Sequence, residues 1–437
     1  MLPLTLTKAS YRARTLIFFI SSLSFSVNAQ QATETDDLWN DDDWLEETPE
    51  ANSNAFRITG FGEILAGQRI TESEFHSDTS AADIRLRLET KFDFNDVLFS
   101  VKSDSYYDHV LGDLRGDFRD LTASYSFNSF DLKAGRQILT WGTGDFLFLN
   151  DFFPKDWQSF FSGRDDEYLK APSDSVKLSG YFSALNIDLV WVPEFDSDNY
   201  LTGDYYSFFN PQIGNIDAPK FLADAPNDDE IAVRIYKTLN STELAAYFYD
   251  GFFKSPNAVD DDGELTFSRL RSVGFSARSP WQNGLVNIET SYLRSLDDSS
   301  GRNPLISNSQ WRFLLGYERE LFTRLTGSAQ IYLERTLNYD NLIRFSAQPQ
   351  FEPEENRTLT TVRLSWRNAN EKLRFSLFTF YSPSDEDTYW RIQSSYRPND
   401  RWLFTLGMNW FDGAAEDTFF GQLTDNKNAY LRLRLSF

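Results

Sequence analysis

From residue 56 onward, apolar and polar residues alternate with a period of two, over stretches of about ten residues. Ile84, Leu86, Leu88, Thr90 and Phe92 take one side of such a stretch; Arg85, Arg87, Glu89 and Lys91 take the other. Thr360, Val362, Leu364 and Trp366 oppose Leu359, Thr361, Arg363, Ser365 and Arg367 in the same way. Trp402, Phe404, Leu406, Met408 and Trp410 make a fully apolar face opposite Thr405, Gly407 and Asn409. The pattern predicts β-strands near residues 56–70, 81–92, 97–107, 118–127, 130–139, 174–183, 185–193, 230–239 and 243–252. It continues with strands near 268–278, 285–295, 309–320, 324–335, 357–367, 372–381, 388–397, 401–411 and 427–437. That is about 18 strands, with 16 as the alternative, because the first and seventh carry weak patterns.

The connections fall into two alternating kinds. Short turns sit at Asn95-Asp96, Asn128-Ser129, Asn240-Ser241, 280–284, 368–371 and 398–400. Long, acidic loops lie between them, as at 193–229, 254–265, 296–308 and 337–356. Short turns at one end and long loops at the other belong to an all-β, antiparallel, up-and-down transmembrane barrel, which closes with an even number of strands. No linker divides the stretch, so residues 55–437 read as one barrel domain.

In such a barrel one parity faces lipid and the other faces the lumen. The lumen set is rich in arginine: Arg85, Arg87, Arg234, Arg312, Arg363, Arg367, Arg374, Arg391, Arg432 and Arg434. The acids on the same parity read as fewer: Glu89, Asp188, Glu243, Glu289, Glu318 and Glu334. Charges in a dry interior are costly, so this set implies a water-filled pore lined by arginine. The other reading is a set of cross-strand Arg–Glu ladders that brace the wall. One connection, 140–173, differs from the rest. It holds Trp141, Phe146, Phe148, Phe152, Phe153, Trp157, Phe160 and Phe161. So many aromatic rings would not stand in water, which implies a loop folded into the lumen, with Pro154 opening a helical turn. Packing over the rim, or a further strand at 145–150, are the alternatives. The candidate constriction residues are Arg136, Trp141, Trp157, Phe160 and Phe161.

Composition alters this picture mainly at the two ends. Lys8, Arg12 and Arg14 precede a short apolar run and Val27-Asn28-Ala29, which reads as a signal peptide over 1–29. No cysteine follows the run for lipid attachment. Residues 30–54 are dense in acid, with Trp39, Trp44 and Leu45 among them. They read as a flexible periplasmic tail, either a solvated leader or a docking peptide for a periplasmic partner. At the other end Ala429, Leu431, Leu433, Leu435 and Phe437 share one face of a strand that runs to the last residue. It resembles the C-terminal assembly signal of outer-membrane barrels, and implies outer-membrane lipid and the barrel assembly machinery as partners. Removing 1–29 takes Lys+Arg from 42 to 39 against 65 Asp+Glu, so net charge goes from −23 to −26. Nucleic acid is therefore not an expected partner. There is no Cys and there are two His, His76 and His109, both in or beside loops, so neither a cofactor nor a metal site is expected.

Gly135-Arg136-Gln137-Ile138-Leu139-Thr140-Trp141-Gly142 resembles a G-R-Q-x-x-x-W-G element of a poorly characterised family of proteobacterial outer-membrane proteins that look like porins. The likeness spans about 130–195, and Arg136 and Trp141 are the positions it carries over. It implies a barrel and transport of small solutes. Other barrel classes fit less well: no plug domain precedes the barrel, and the leader is too hydrophilic for a hatch. An enzyme needs an assembled nucleophile and base, and no Ser–His–Asp arrangement is visible. A closed structural or adhesive barrel is the third class.

Overall fold

The computed structural model describes residues 57–260 and 262–437. The expected signal peptide and acidic tail lie outside the described residues. Eighteen strands form one closed antiparallel sheet. They are β1 (Thr59–Arg69), β2 (Thr79–Phe94), β3 (Val97–Asp108), β4 (Asp113–Phe127), β5 (Phe130–Ile138) and β6 (Pro172–Tyr181). Then come β7 (Asn186–Val192), β8 (Glu230–Leu239), β9 (Thr242–Phe252), β10 (Arg269–Trp281), β11 (Gly284–Ser295) and β12 (Gln310–Phe322). The last six are β13 (Leu325–Thr336), β14 (Asn356–Arg367), β15 (Leu373–Ser382), β16 (Asp387–Asn399), β17 (Trp402–Gly413) and β18 (Asn428–Ser436). The larger of the two expected strand counts is the correct one, and the weakly patterned first and seventh strands are both in the wall.

Each strand pairs with its neighbours in sequence, and β1 closes the ring on β18, Phe61 opposite Ser436 through Arg69 opposite Asn428. Phe437 extends the seam: its amide donates to the Gly60 carbonyl at 2.9 Å and its carbonyl accepts from the Gly60 amide at 3.0 Å. Closure leaves no edge strand, and in hydrocarbon every backbone group must find such a partner.

The short turns form where the sequence supplies residues that tolerate positive φ. Asn95 and Asp96, Asn240 and Ser241, and Gln282 and Asn283 all take φ between 45° and 69° at the two central positions. Paired positive φ values give the hairpin turn whose twist matches the strands it joins. The long loops gather at the other end, the longest being 193–229.

The outward parity is apolar around the ring. Ile64, Ile84, Leu86, Phe275, Ile331, Val362, Phe404 and Leu431 stand exposed on the outer face, a band that suits lipid and not water. Aromatic girdles bound it, with Trp281, Trp366 and Tyr396 toward the short-turn end and Trp191, Trp311, Trp390 and Trp410 toward the long-loop end. The core lies inside the barrel. Wall residues pack there against two loops, 139–171 and 193–229.

Candidate functional site

All ten arginines expected on the inner parity are there, yet most of them do not line open water. The reason is the loop 139–171, which crosses the lumen and brings its own acids. Its centre is helix α1 (Trp157–Ser162). The helix is opened by Asp156, whose carboxylate accepts from the Ser159 amide at 2.7 Å, rather than by Pro154. It ends at Gly163, with φ 85°. A Cβ at Gly163 would lie 2.3 Å from the Tyr430 ring, and one at Gly407 would lie 2.2 Å from the other part of that ring. Tyr430, inward on β18, is thus seated between a loop glycine and a wall glycine, and only glycine permits the approach.

Aromatic rings anchor both halves of the loop. Phe160 and Phe161 are 2% exposed. Phe161 packs on Tyr389 and on Phe411, each at 5.4 Å between ring centroids, and Phe146 packs on Phe378 at 4.9 Å. These partners lie on β15, β16 and β17. Trp141 packs instead on Phe153 at 5.1 Å and on Tyr247 of β9 at 6.0 Å. The loop is therefore a strap fixed at two places on the wall. Trp157, Phe160 and Phe161 fasten it; Phe160 and Phe161 offer almost no free ring surface. No strand forms at 145–150.

Three consecutive loop acids reach three sets of wall arginines. Asp165 accepts from Arg432 and Arg434, both at 2.8 Å. Asp166 pairs with Arg391. Glu167 accepts from Arg87 at 2.6 Å, and Arg87 also holds Asp104 at 2.7 Å. Tyr168 lies against Arg85 and Arg119, 4.1 and 4.7 Å from its ring centre, and its hydroxyl meets Arg87 at 2.6 Å. In the opposite sense, loop Arg164 donates to Asp83 at 2.6 Å and Asp108 at 3.2 Å. Burial by itself would raise the Asp165 carboxyl. Arg432 and Arg434 outweigh it and hold the group below its usual range. Glu167 is held well below its usual range by Arg87, Arg434 and Arg119 against the same burial. Taking away one member of a buried pair of this kind costs about 3–5 kcal/mol, because the other charge is left stranded.

The expectation that acids on the inner wall are fewer than arginines needs correction here. Glu63, Asp83, Asp104 and Glu230 are also inward and at most 4% exposed. Arg85, Arg87, Arg432 and Arg434 are ion-paired with wall and loop carboxylates instead of facing solvent. Arg312 pairs with Glu334 at 3.2 Å, a cross-strand ladder between β12 and β13. Arg234 covers the Tyr236 ring at 4.3 Å on β8. Arg367 faces inward at the short-turn end of β14.

Arg136 is not in the constriction. It lies on the outer face of β5, donates to the Phe118 carbonyl at 2.9 Å and sits 3.5 Å from Asp117 and from Asp174. The sequence carried this signal: Phe130, Leu132, Ala134 and Arg136 share a parity, and its apolar members mark it as the lipid side.

A cavity remains beneath the strap, toward the short-turn end. It holds only about 30 Å³ of free space and is lined by Arg363, Arg374 and Arg391 together with Ser376, Gln393, Ser395, Phe378, and Phe146 and Asp166 of the loop. Arg363 holds Glu318 at 2.7 Å and approaches loop Asp145 at 3.5 Å. Asp145 is wholly enclosed. Burial pushes its carboxyl up to about 7, with Arg363 opposing and Glu318 adding to the rise. Three guanidiniums edge this space, Arg391 paired with Asp166 and Arg363 with Glu318.

A second loop was not expected inside. Residues 193–229 fold over the strap: the Tyr206 hydroxyl donates to the Gln158 carbonyl at 2.9 Å, Tyr205 bonds Asp108, and Ser207 and Asn426 exchange hydrogen bonds of 3.2 and 2.7 Å. The signal was there in the run Tyr205-Tyr206-Ser207-Phe208-Phe209, as rich in rings as the first loop.

Solved structures share this arrangement of strands. The chain resembles the Occ porins in fold. OccK5 (OpdH) of Pseudomonas aeruginosa superposes with a TM-score of 0.51 at 11% identity, covering 87% of this chain and 97% of that one. OccAB3 of Acinetobacter baumannii gives 0.52 at 10% identity, covering 87% and 99%. OccK2 (OpdF) of Pseudomonas aeruginosa, solved in complex with glucuronate, gives 0.52 at 11% identity, covering 87% and 97%. No family model matches the sequence, and no curated protein matches it.

Proposed function

We propose that the protein is an outer-membrane channel for small anionic solutes, controlled by the strap 139–171. The observation that carries this reading is the chamber under the strap, where Arg363, Arg374 and Arg391 converge on one space inside a lipid-facing barrel. Guanidinium groups bind carboxylates through paired hydrogen bonds, which a partly desolvated lumen strengthens. The Occ porins supply a parallel, since one of them was solved with the carboxylate sugar glucuronate. Arg136 and Trp141, on the G-R-Q-x-x-x-W-G element, frame the base of the strap in this reading, from outside and inside the wall respectively.

Reversal potentials in a salt gradient test the proposal. Anions should be preferred at neutral pH despite the acidic total charge, because local charges in a narrow pore outweigh distant loops. Replacing Arg363, Arg374 and Arg391 together by Gln should abolish the preference. Cation preference in the wild type would sink the reading.

A second reading, a closed structural barrel, draws on the two loops that fill the lumen. Liposome swelling separates the two: a closed barrel admits no sugar or amino acid. An enzyme is disfavoured by the histidines. His76 bonds the Gly203 carbonyl at 3.0 Å, and the His109 ring lies 6.4 Å from that of Tyr107. Partners proposed with the channel are outer-membrane lipid, the assembly machinery at the C-terminal strand, and a periplasmic protein at the acidic tail.

A further inference from the structure

The outer face of the wall carries charge where lipid alone would not call for it. Near the long-loop end of β10, β11 and β13, Arg271, Arg294 and Arg335 all point outward. They are well exposed: Arg271 by 49%, Arg335 by 62%, and Arg294 falls in the same exposed class. Arg271 and Arg294 are direct cross-strand partners. Like charges placed opposite each other on a sheet repel. Asp250 pairs with Arg271 from the far side, and Glu355 holds Arg335 at 2.9 Å. Arg294 has no carboxylate within ion-pair distance among the described residues.

One step nearer the membrane middle, Tyr292 and Trp311 face each other across β11 and β12 with ring centroids 5.0 Å apart. Trp311 is 49% exposed, and Arg335 is its cross-strand partner on β13. Below them the same face is dominated by apolar side chains, with Ile288, Phe313, Leu315, Ile331 and Leu333. From the middle of the membrane outward the order is aliphatic, aromatic, cationic. Other sectors of this rim lack the excess. Arg136 is braced by Asp117 and Asp174.

We infer that this face, built on Arg271, Arg294, Arg335, Tyr292 and Trp311, binds an acylated, phosphorylated glycolipid of the outer leaflet. Acyl chains lie along the aliphatic band and the sugar stacks on the aromatic pair. A phosphate accepts from Arg271 and Arg294, relieving the repulsion between them. A guanidinium fork matches a phosphate geometrically, and an Arg pair matches it better than either alone. The inference rests on the outer-membrane reading, but not on which solute passes.

The experiment uses the purified full chain in detergent micelles with diphosphorylated lipid A, followed by native mass spectrometry. Arg271→Gln with Arg294→Gln should weaken lipid retention about tenfold, in line with the loss of charge-assisted hydrogen bonds. Arg294→Gln alone, which strands no carboxylate, should weaken it about threefold and guards against misfolding of the double variant. Lys427→Gln, at the rim on the opposite side of the wall, should change nothing. Equal retention by wild type and double variant, or equal retention of lipid A stripped of its phosphates, would overturn the proposal. Single-channel conductance of the same samples keeps the two readings apart: wild-type protein that holds lipid but conducts nothing defeats the channel and leaves the lipid site standing.

Discussion

At the scale of single residues, Asp145 stands out. It is a loop carboxyl enclosed on all sides, 3.5 Å from the chamber residue Arg363, and its backbone amide donates to Gln330 at 3.1 Å. Because burial pushes it up to about 7, the neutral acid is the form the docked strap prefers. The sign follows directly. The favourable contribution is fully present below the ordinary carboxyl range near 3.8 and is lost as pH rises through about 7. Docking should therefore loosen, and conductance rise, as pH passes from about 4 to about 7. Asp145→Asn keeps the shape and removes the titration, so its conductance should be flat over that range. A wild-type profile that is equally flat would remove Asp145 from the gate. Asp165 and Glu167 behave in the opposite sense. Their carboxyls are held below the usual range, so the clamp they form is intact above about 4.5 and fails only in stronger acid.

Among the elements, the strap 139–171 matters most. Its aromatic anchors and its ion pairs lie on side chains, whereas the wall stands on strand-to-strand backbone bonds that the loop does not touch. Deleting the strap should therefore leave an inserted barrel with higher conductance and a larger size limit. Replacing Trp157, Phe160 and Phe161 by Ala should have a smaller effect in the same direction, through looser docking. Each lost ring costs up to about 3–5 kcal/mol of packing, and the ion pairs remain. Planar-bilayer conductance and sugar-uptake assays read both. A deletion variant that inserts normally and conducts as before would make the strap a passenger in the lumen. The loop 193–229 sits over the same strap, so some blockage should survive a deletion of the strap alone.

For the whole molecule, the decisive feature is closure. β18 pairs with both β17 and β1, and the Phe437 backbone makes two of the seam bonds. Leu435 and Phe437 face outward, 37% and 58% exposed, so they meet lipid during insertion instead of filling the lumen. Replacing both by Asp should block assembly in the outer membrane. A charge on the lipid face costs up to about 4 kcal/mol, and the apolar terminal strand is what the assembly machinery is expected to engage. Wild-type amounts of heat-modifiable barrel in that double variant would count against this reading of the C-terminus.

The alternation along the chain by itself determined most of the strands, narrowed their number to 16 or 18, and showed which face of each meets lipid. A strand has only two faces, and a lipid-facing row must be apolar, so parity is a local signal with a global meaning. The same parity also carried the outward place of Arg136 and the inward place of Asp83, which the reading of the chain missed by assigning Arg136 to the constriction. Turn positions were legible for a similar reason, since positive φ at Asn95-Asp96 or Asn240-Ser241 depends on the residues themselves. Tertiary structure alone decided what the inward charges do. Asp165 meets Arg434 across 269 positions of sequence, and Tyr205 meets Asp108 across 97. No spacing rule connects such residues. Whether an inward arginine faces water or a carboxylate depends on where a loop lands once the barrel has closed, and that landing is set by ring packing and by the cost of leaving a buried charge unpaired.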